Sequence, residues 1–287
     1  MTITAPLLTE TPISFDEARQ LRRRPSRFNR YLRETALLVG RALRMLPRVP
    51  ERLSDVTIQP IVFTLLFLYV LGSAIHIPGI RYQDYLLPGL IGQGLAFGLI
   101  GAGVATATDF SSGVVDRFRS LPVTRLSVIS AQVIGQMIEQ ILGMLIIAGM
   151  GLALGWRPHM SVFGLFELVA LILLGLFAFT WAGVLLGMLV RSSDAMQGIG
   201  FALVFPLSFL AGTFVPISGM RAVPRAIGEW DPLSALVAAV RQICQGVHVH
   251  GSWQLEHPVV AMIGWCALVI GVCVPLALRR FRRTATI

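Results

Sequence analysis

Residues 109–125 read DFSSGVVDRFRSLPVTR and separate two long apolar runs. This stretch holds five charged residues and one proline, whereas the runs on either side consist mostly of Gly, Ala, Leu, Ile, Val and Met. A charged side chain at the centre of a bilayer costs roughly 2.5 to 3.5 kcal/mol. The stretch is therefore expected to lie outside the membrane, as the connection between two spans.

The composition of the whole chain agrees with this interpretation. Of the 287 residues 55% are hydrophobic and only 14% are charged, and the mean hydropathy is +0.73. A helix needs about 20 mainly apolar residues to cross roughly 30 Å of hydrocarbon. Six runs qualify: 58–77, 85–108, 127–154, 162–190, 195–217 and 257–278. The sequence predicts an all-α integral membrane protein with an N-terminal segment over 1–57, a six-span domain over 58–278 and a basic tail over 279–287.

The distribution of arginine predicts the orientation of these spans. All 24 basic residues are Arg, and basic residues concentrate in cytoplasmic loops. Nineteen of them fall before the first span, within 109–125, at Arg191 or in the tail, all on one side, and five fall on the other. Both termini are predicted to be cytoplasmic, in a multi-pass protein of the cytoplasmic membrane. No nucleic-acid partner is expected, because the positive charge comes with no soluble domain.

Residues 27–46 form an amphipathic pattern of helical period. One side carries the apolar residues and the other the arginines: Phe28, Tyr31, Leu32, Val39, Leu43 and Leu46 against Arg30, Arg33, Arg41 and Arg44. This predicts a helix in the membrane interface with guanidinium groups at lipid phosphates. Pro47 and Pro50 are predicted to end it before the first span. The helix is either a generic anchor or a lever between a cytoplasmic motor and the spans.

Polar residues recur on one face of the third run, at Gln132, Gln136, Glu139 and Gln140. An ionised carboxylate facing lipid costs several kcal/mol, so this face is predicted to point inward. Two interpretations stay open, namely ordinary hydrogen bonding between helices and the lining of a substrate path.

Small residues recur at four-residue spacing in two other runs and indicate close helix packing. They are Gly94, Gly98 and Ala102 in the second run, and Gly183 and Gly187 in the fourth.

A metal site is the main chemical alternative to transport. His248, His250, Glu256 and His257 cluster in HVHGSWQLEH, and such residues bind zinc in other proteins. Their spacing matches no specific signature, so they are interpreted as solvated loop residues. The sequence also contains no nucleophile elbow or H-E-x-x-H motif. We therefore predict neither a metal site nor catalytic residues.

The absence of lysine bears on the source of energy. The nucleotide-binding loop G-x-x-x-x-G-K-[ST] needs a lysine that reaches the outer phosphates, and this chain has none. The chain is therefore predicted to be no enzyme and to hold no cofactor. If ATP and Mg²⁺ drive the protein, a partner chain binds them.

Two stretches resemble the type-2 ABC transporter permeases. Residues 109–125 are similar to the family's cytoplasmic loop between its second and third spans, through Gly113, Arg117, Phe118 and Pro122. Residues 209–241 are similar to the region after its fifth span. The matching positions there are Phe214, Pro216, Pro224, Asp231, Pro232 and Arg241. Family members often have Asn where this chain has Asp231, which leaves the role of that residue open.

The resemblance implies the permease subunit of an ATP-driven exporter. A separate ABC ATP-binding subunit and a second permease subunit, identical or related, would complete it. Within the family the chain looks most like the daunorubicin-resistance branch, which exports drugs, antibiotics or lipids. A polysaccharide or teichoic-acid exporter is the alternative within the family. A membrane-embedded enzyme and a passive channel are alternatives from other classes.

The stretch 112–122 is predicted to form a short coupling helix on the cytoplasmic face. Ser112 would cap its start, Val114, Phe118 and Leu121 would share one side, and Pro122 would end it. Such a helix can dock apolar side first into a groove on a partner. The residues assigned to this contact are Gly113, Val114, Arg117, Phe118, Leu121 and Pro122. The alternative is a solvated turn.

Residues 218–256 are too long for a simple turn and too short and charged for two spans. Their apolar piece PLSALVAAV, 232–240, predicts a re-entrant or interfacial helix. This helix is expected to cap the outer end of the pathway.

The coupling helix can be tested by replacing Phe118 with Asp. If its apolar side docks in the ATP-binding subunit, an uncompensated carboxylate would be buried there at high cost, and assembly should fail. Pro122→Ala should still assemble but transport poorly, because the proline sets where the helix ends. Co-purification of the ATP-binding subunit and efflux from cells measure both effects. If Phe118→Asp retains both the ATP-binding subunit and full efflux, the stretch is a solvated turn and not a coupling helix.

Overall fold

The structure is a computed structural model that describes residues 27–45, 50–75, 77, 79–112, 125–247 and 251–283. Within these ranges every regular element is a helix. The main helices are α1 (Arg27–Met45), α2 (Pro50–Leu66), α3 (Tyr82–Ser111), α4 (Arg125–Ala153), α5 (Val162–Leu189), α6 (Ser193–Leu210), α7 (Ala222–Trp230), α8 (Pro232–Gln245) and α9 (Pro258–Arg283). A π-helical turn (Phe67–Leu71) and a short helix (Gly72–Ala74) extend α2.

Six of the described helices are long and apolar enough to cross a membrane. They are α2 with its extension, α3, α4, α5, α6 and α9, and they follow the six predicted runs in order. The predicted fold class is therefore confirmed. Helix α9 continues to Arg283, so the predicted basic tail begins inside a helix.

Helix α1 packs against the first turns of α4. The Tyr31 hydroxyl donates a hydrogen bond to Ser130 Oγ at 2.7 Å, and Ser127 Oγ donates to a Glu34 carboxylate oxygen at 3.1 Å. The predicted apolar side of α1 is only partly covered by this contact, because Phe28 and Leu32 stay exposed.

Pro50 separates α1 from the helix of the first span. Helix α1 ends at Met45, and Pro50 is the first residue of α2. Proline suits this position because the first turn of a helix has no intrahelical partner for its N–H groups, and the proline ring presets the helical φ. Pro47 lies outside the described residues.

Helix α3 is the central element of the bundle. In its most apolar window 72% of the residues are buried, against 17% to 28% in the other spans. It packs against α5 most extensively, and also against α4, α6 and α8. Ser112 ends α3, since its N–H and Oγ both donate to the Thr108 carbonyl oxygen, at 2.9 and 2.7 Å. The following helix that Ser112 is predicted to cap lies outside the described residues.

The fifth predicted run extended to residue 217, but α6 ends at Leu210. The chain turns there because Gly212 has φ +68°, a left-handed conformation that glycine adopts without strain. Three helices follow in place of the single short one predicted for 218–256: α7, α8 and Trp253–Glu256. Helix α8 is buried against α3, α5 and α9.

The predicted small-residue positions on α5 bring it into backbone contact with α3. A Cβ atom on Gly183 would overlap the Leu99 carbonyl oxygen, and one on Gly187 would overlap the Gly103 carbonyl oxygen. Ala102 is fully buried on the same side of α3. These residues confirm the predicted close packing.

Replacing Gly187 with Ala should destabilise the bundle. The new methyl group would meet backbone, which cannot rotate away, so the two helices must separate at a cost of about 1 to 3 kcal/mol. Gly264→Ala on α9 is the matched control, because no atom lies within 4 Å of its Cβ position. Thermal unfolding of the purified variants measures the difference. Equal melting temperatures for the two variants would contradict the close α3–α5 contact.

Candidate functional site

The polar face of α4 lies against α3 in a regular antiparallel register. Gln132 Nε2 donates to Thr106 Oγ1 at 3.1 Å. One turn further along α4, the Gln136 amide oxygen lies 3.5 Å from the Cβ position of Gly101. The prediction that this face points inward is thereby confirmed.

Gln140 occupies the space that a side chain at position 98 would fill. A Cβ atom on Gly98 would overlap all three atoms of the Gln140 amide group. Gly94, one turn away on α3, has only the end of Ile147 within 4 Å of its Cβ position. Gly94 and Gly98 therefore make room for side chains of α4, unlike Gly183 and Gly187 of α5, which face the backbone of α3.

A cavity of about 350 Å³ lies where α2, α3 and α4 meet. Three of the four predicted residues, Gln136, Glu139 and Gln140, line it. Gln132 does not line it and is held by Thr106 instead. The lining residues of α3 extend from Leu90 to Thr108, which is about 27 Å along a helix that rises 1.5 Å per residue.

The cavity also has polar lining residues that the sequence analysis did not select. They are Gln59 and Thr64 on α2, Gln93 on α3, and Thr108 near the end of α3. Gln93 was detectable as an amide within an apolar run. Gln59 and Thr64 were not, because nothing in the sequence shows which side of α2 faces α3 and α4.

Several polar groups that line the cavity are buried without a hydrogen-bond partner among the described residues. They are the Thr64 hydroxyl, Gln93 Nε2 and both amide atoms of Gln140. Thr64 and Gln93 are only 1% and 4% exposed. An unsatisfied buried polar group costs about 1 to 3 kcal/mol, so a cluster of them needs an explanation.

Aromatic rings form the apolar wall of the cavity. The Phe63 and Phe97 rings both line it, with centroids 6.5 Å apart and planes tilted by 60°. The Phe97 ring also packs edge-to-face with the Phe201 ring, with centroids 5.4 Å apart. The cavity thus combines amide, hydroxyl, carboxylate and aromatic groups.

A second polar cluster surrounds the guanidinium group of Arg241 on α8. Its Nε donates to the Tyr85 carbonyl oxygen at 3.1 Å, and its Nη2 donates to the carbonyl oxygens of Gly212 and Thr213 at 2.7 and 3.2 Å. The guanidinium carbon lies 3.6 Å from the centre of the Tyr85 ring. Burial lowers the pKa of Arg241 from its ordinary value, while Tyr85 opposes that shift. The arginine ties the turn after α6 to the first turn of α3.

Asp231 and Pro232 form the start of α8. Asp231 Oδ1 accepts a hydrogen bond from the Leu233 N–H at 3.0 Å, and Pro232 is the first helical residue. Burial raises the pKa of Asp231 to about 6, although the hydrogen bond from Leu233 opposes the shift. Gln254 Nε2 donates to the Asp231 carbonyl oxygen at 2.6 Å. This contact ties the segment before α9 to the start of α8.

The other predicted residues of this region have varied environments. Phe214 is fully buried, and its ring centroid lies 4.2 Å from that of Phe67 with the ring planes tilted by 33°. Pro216 precedes a 3₁₀ turn, and Pro224 lies inside α7. Sequence reasoning grouped these residues by resemblance alone.

The predicted coupling residues and part of the histidine cluster lie outside the described residues. All the coupling residues from Gly113 to Pro122 lie outside the described residues, as do His248 and His250. His257 is described and stacks on Trp253 at 5.4 Å. Among the residues that the structure describes, no group of three or more His, Cys, Asp or Glu side chains could hold a metal ion.

Comparison with known proteins agrees with the geometry of the bundle. Residues 33–244 match the family described as ABC-2 type transporter. A daunorubicin resistance ABC transporter permease protein, DrrB1 of Streptomyces coeruleorubidus, is 26% identical over 242 residues, which are 84% of this chain and 83% of the relative. A probable doxorubicin resistance ABC transporter permease protein, DrrC of Mycobacterium tuberculosis, is 24% identical over 259 residues, covering 89% and 91%.

The family match spans most of the chain and includes the whole cavity. It also agrees with the resemblance inferred from residues 109–125 and 209–241. The six apolar helices and this match together establish a multi-pass membrane protein. The chain belongs to the ABC-2 type transporter family as a six-helix membrane permease.

Proposed function

We propose that this chain is the membrane-spanning subunit of an ATP-driven exporter, and that a drug-sized amphipathic cargo binds in the cavity between α2, α3 and α4. The observation that carries the proposal is the cluster of unpartnered polar groups on Thr64, Gln93 and Gln140 beside the aromatic wall. Ligand sites typically measure about 300 to 1,000 Å³ and combine apolar walls with a few polar groups. The resistance proteins among the relatives support the same class of cargo.

A separate ATP-binding subunit supplies the energy in this proposal. The sequence supports it because every basic residue is Arg, so no phosphate-binding lysine loop can form. The proposed contact for that subunit is the segment from Gly113 to Pro122. This segment joins the end of α3 to the start of α4, so it connects two helices that line the cavity.

Both termini and the coupling segment lie on the cytoplasmic side in this proposal, because nineteen of the 24 arginines fall there. Helix α1 then lies in the inner interface, where exposed Phe28 and Leu32 contact acyl chains.

A second permease subunit completes the exporter, as the family resemblance implies.

Helix α8 caps the outer end of the path in the same proposal. Support comes from the Arg241 hydrogen bonds, which hold the turn after α6 against the start of α3. A re-entrant helix needs hydrogen-bond partners inside the protein, and three backbone carbonyl oxygens supply them to the Arg241 guanidinium group.

Asp231→Asn tests the cap at the start of α8. A buried carboxyl whose pKa is raised to about 6 binds protons more tightly in the folded protein, so it stabilises the fold at low pH, and this contribution is lost as the pH rises from about 4 through about 6. Asn retains the cap without the charge. We expect equal melting temperatures at about pH 3.5, where the carboxyl is protonated in both the folded and the unfolded chain, and a higher one for Asp231→Asn at pH 7.5. Asp194→Asn, at an exposed position, is the control. A lower melting temperature for Asp231→Asn at pH 7.5 would contradict the account.

Gly98→Ala tests the cavity as the cargo site. The new methyl group would displace the flexible Gln140 amide into the cavity without moving the backbone, so the chain should fold and insert normally. We expect daunorubicin efflux to fall severalfold in cells that also express the ATP-binding subunit. Gly149→Ala is the matched control on α4, because no atom lies within 4 Å of its Cβ position and it gains the same helix propensity, up to about 1 kcal/mol. Equal efflux by both variants would place the cargo path elsewhere.

A further inference from the structure

We propose that α7, the helix of nine residues after the turn at Gly212, binds lipid in the outer membrane interface, with Val223, Ile227 and Trp230 against acyl chains. The proposed partner is the phospholipid of the outer leaflet. The inference goes beyond the proposed function, because it concerns neither the cargo nor the cavity. It takes from that proposal only the orientation, in which α7 lies at the outer end of the bundle.

Helix α7 has three sides with different surroundings. Gly228 faces the protein, since a Cβ atom there would overlap the Leu210 carbonyl oxygen at the end of α6. Arg225 and Glu229 form an ion pair on a second side, with Nε and Oε1 2.7 Å apart. The third side carries a row of exposed apolar residues, Val223, Ile227 and Trp230. A helix with one charged side and one exposed apolar side is typical of the membrane interface.

The exposed row of α7 lies at the end of a surface that a membrane span also exposes. Helix α6 is apolar enough to cross the membrane, and Phe205 and Phe209 stay exposed in its last two turns. Helix α7 docks on the last residue of α6 through Gly228, so its exposed row lies at the outer end of that span. The hydrophobic effect that places α6 in the bilayer therefore also favours lipid contact for α7.

A second exposed tryptophan lies beside α7. Ser252 Oγ donates to the Glu229 carbonyl oxygen at 2.9 Å, which holds the short helix Trp253–Glu256 against the last turn of α7. Trp230 and Trp253 are 60% and 56% exposed. Exposed tryptophans concentrate at the level of the lipid head groups, because the indole combines an apolar body with one N–H donor. The pair therefore indicates that this level of the membrane coincides with α7.

The extent of this apolar surface favours lipid over a second copy of the chain. Trp253 precedes α9, where Val260 is also exposed, so the surface extends from the end of α6 past α7 to the start of α9. Helix α6 packs on α3, whereas α9 packs on α5 and α8. The two ends therefore lie on different sides of the bundle, and a single flat protein surface would not cover both. Lipid surrounds the bundle and reaches both ends.

Lipid contact at α7 bears on the helix that caps the path, because α7 and α8 are almost continuous. Pro232 begins α8 only two residues after Trp230. Gln254 Nε2 ties the short helix Trp253–Glu256 to the same place, through its hydrogen bond of 2.6 Å to the Asp231 carbonyl oxygen. Lipid bound at α7 thus supports the start of α8 from the membrane side.

Tryptophan fluorescence of the full chain in phosphatidylcholine nanodiscs tests this contact. Phosphatidylcholine that carries bromine near the head-group end of its acyl chains quenches an indole that it touches, whereas iodide quenches an indole that faces water. We expect Trp230→Phe to lower the part quenched by bromolipid by roughly a third, since Trp230 is one of three tryptophans that are not buried. Trp156→Phe is the matched control, because Trp156 follows the outer end of α4 and is only 3% exposed.

A matched pair of labels on α7 makes the test independent of the tryptophan substitutions. An environment-sensitive fluorophore is attached at Ile227→Cys or at Arg225→Cys, in a background where Ala replaces the native cysteines Cys244, Cys266 and Cys273. The two positions lie on nearly opposite sides of α7, since two residues correspond to a rotation of about 200°. We expect bromolipid to quench the label at position 227 severalfold more than the label at position 225, and iodide to do the reverse.

The two quenchers separate the possible surroundings of α7. Quenching by bromolipid that Trp230→Phe lowers and Trp156→Phe retains supports the inference. Quenching of Trp230 and of the label at position 227 by iodide alone overturns it, because α7 then faces water. Protection of both from either quencher also overturns it, because a protein surface such as a second copy of the chain then covers the helix. None of these outcomes depends on cargo binding or efflux, so they leave the proposed function unchanged.

Discussion

The backbone contact between α3 and α5 is the constraint on which the rest of the bundle depends. In hydrocarbon the hydrophobic effect does little to hold helices together, so close van der Waals approach must do so. Gly183 and Gly187 allow that approach, because each lies directly over a carbonyl oxygen of α3. On the side of α3 that faces α4 the same residue type has another effect. Gly98 and Gly101 face glutamine side chains, so the space they leave is filled only in part and becomes a cavity.

The two buried polar clusters have opposite properties. The donors that Arg241 uses reach three carbonyl oxygens, and its guanidinium also lies over an aromatic ring, so its burial is compensated. Such a cluster fixes backbone positions. The amides of Gln93 and Gln140 lack that compensation among the described residues, and each unsatisfied group costs about 1 to 3 kcal/mol. A bundle held by backbone contact elsewhere can tolerate that cost where a ligand supplies the missing partners.

Hydropathy and charge were sufficient to predict the six spans and the inward direction of the polar face on α4. Both follow from the cost of polar groups in lipid, which a single sequence displays directly. Which helices that polar face meets could not be predicted, since helix neighbours depend on the tertiary arrangement. The contribution of Thr64 was missed for this reason. The end of α6 was misplaced because hydropathy does not register a turn at Gly212. The hydrogen bonds of Arg241 could not be predicted either, because backbone carbonyl partners leave no pattern in the sequence.

Helix α4 joins the proposed coupling segment, helix α1 and the cavity. Its first residue follows the coupling segment, its first turns hold α1 through Ser127 and Ser130, and its middle carries Glu139 and Gln140 into the cavity. A helix without an internal proline transmits displacement along its axis as a rigid body. Movement of the coupling segment would then shift these side chains relative to α3. The α3–α5 contact holds α3 in place, so the same shift would change the shape of the cavity and weaken its hold on a bound ligand.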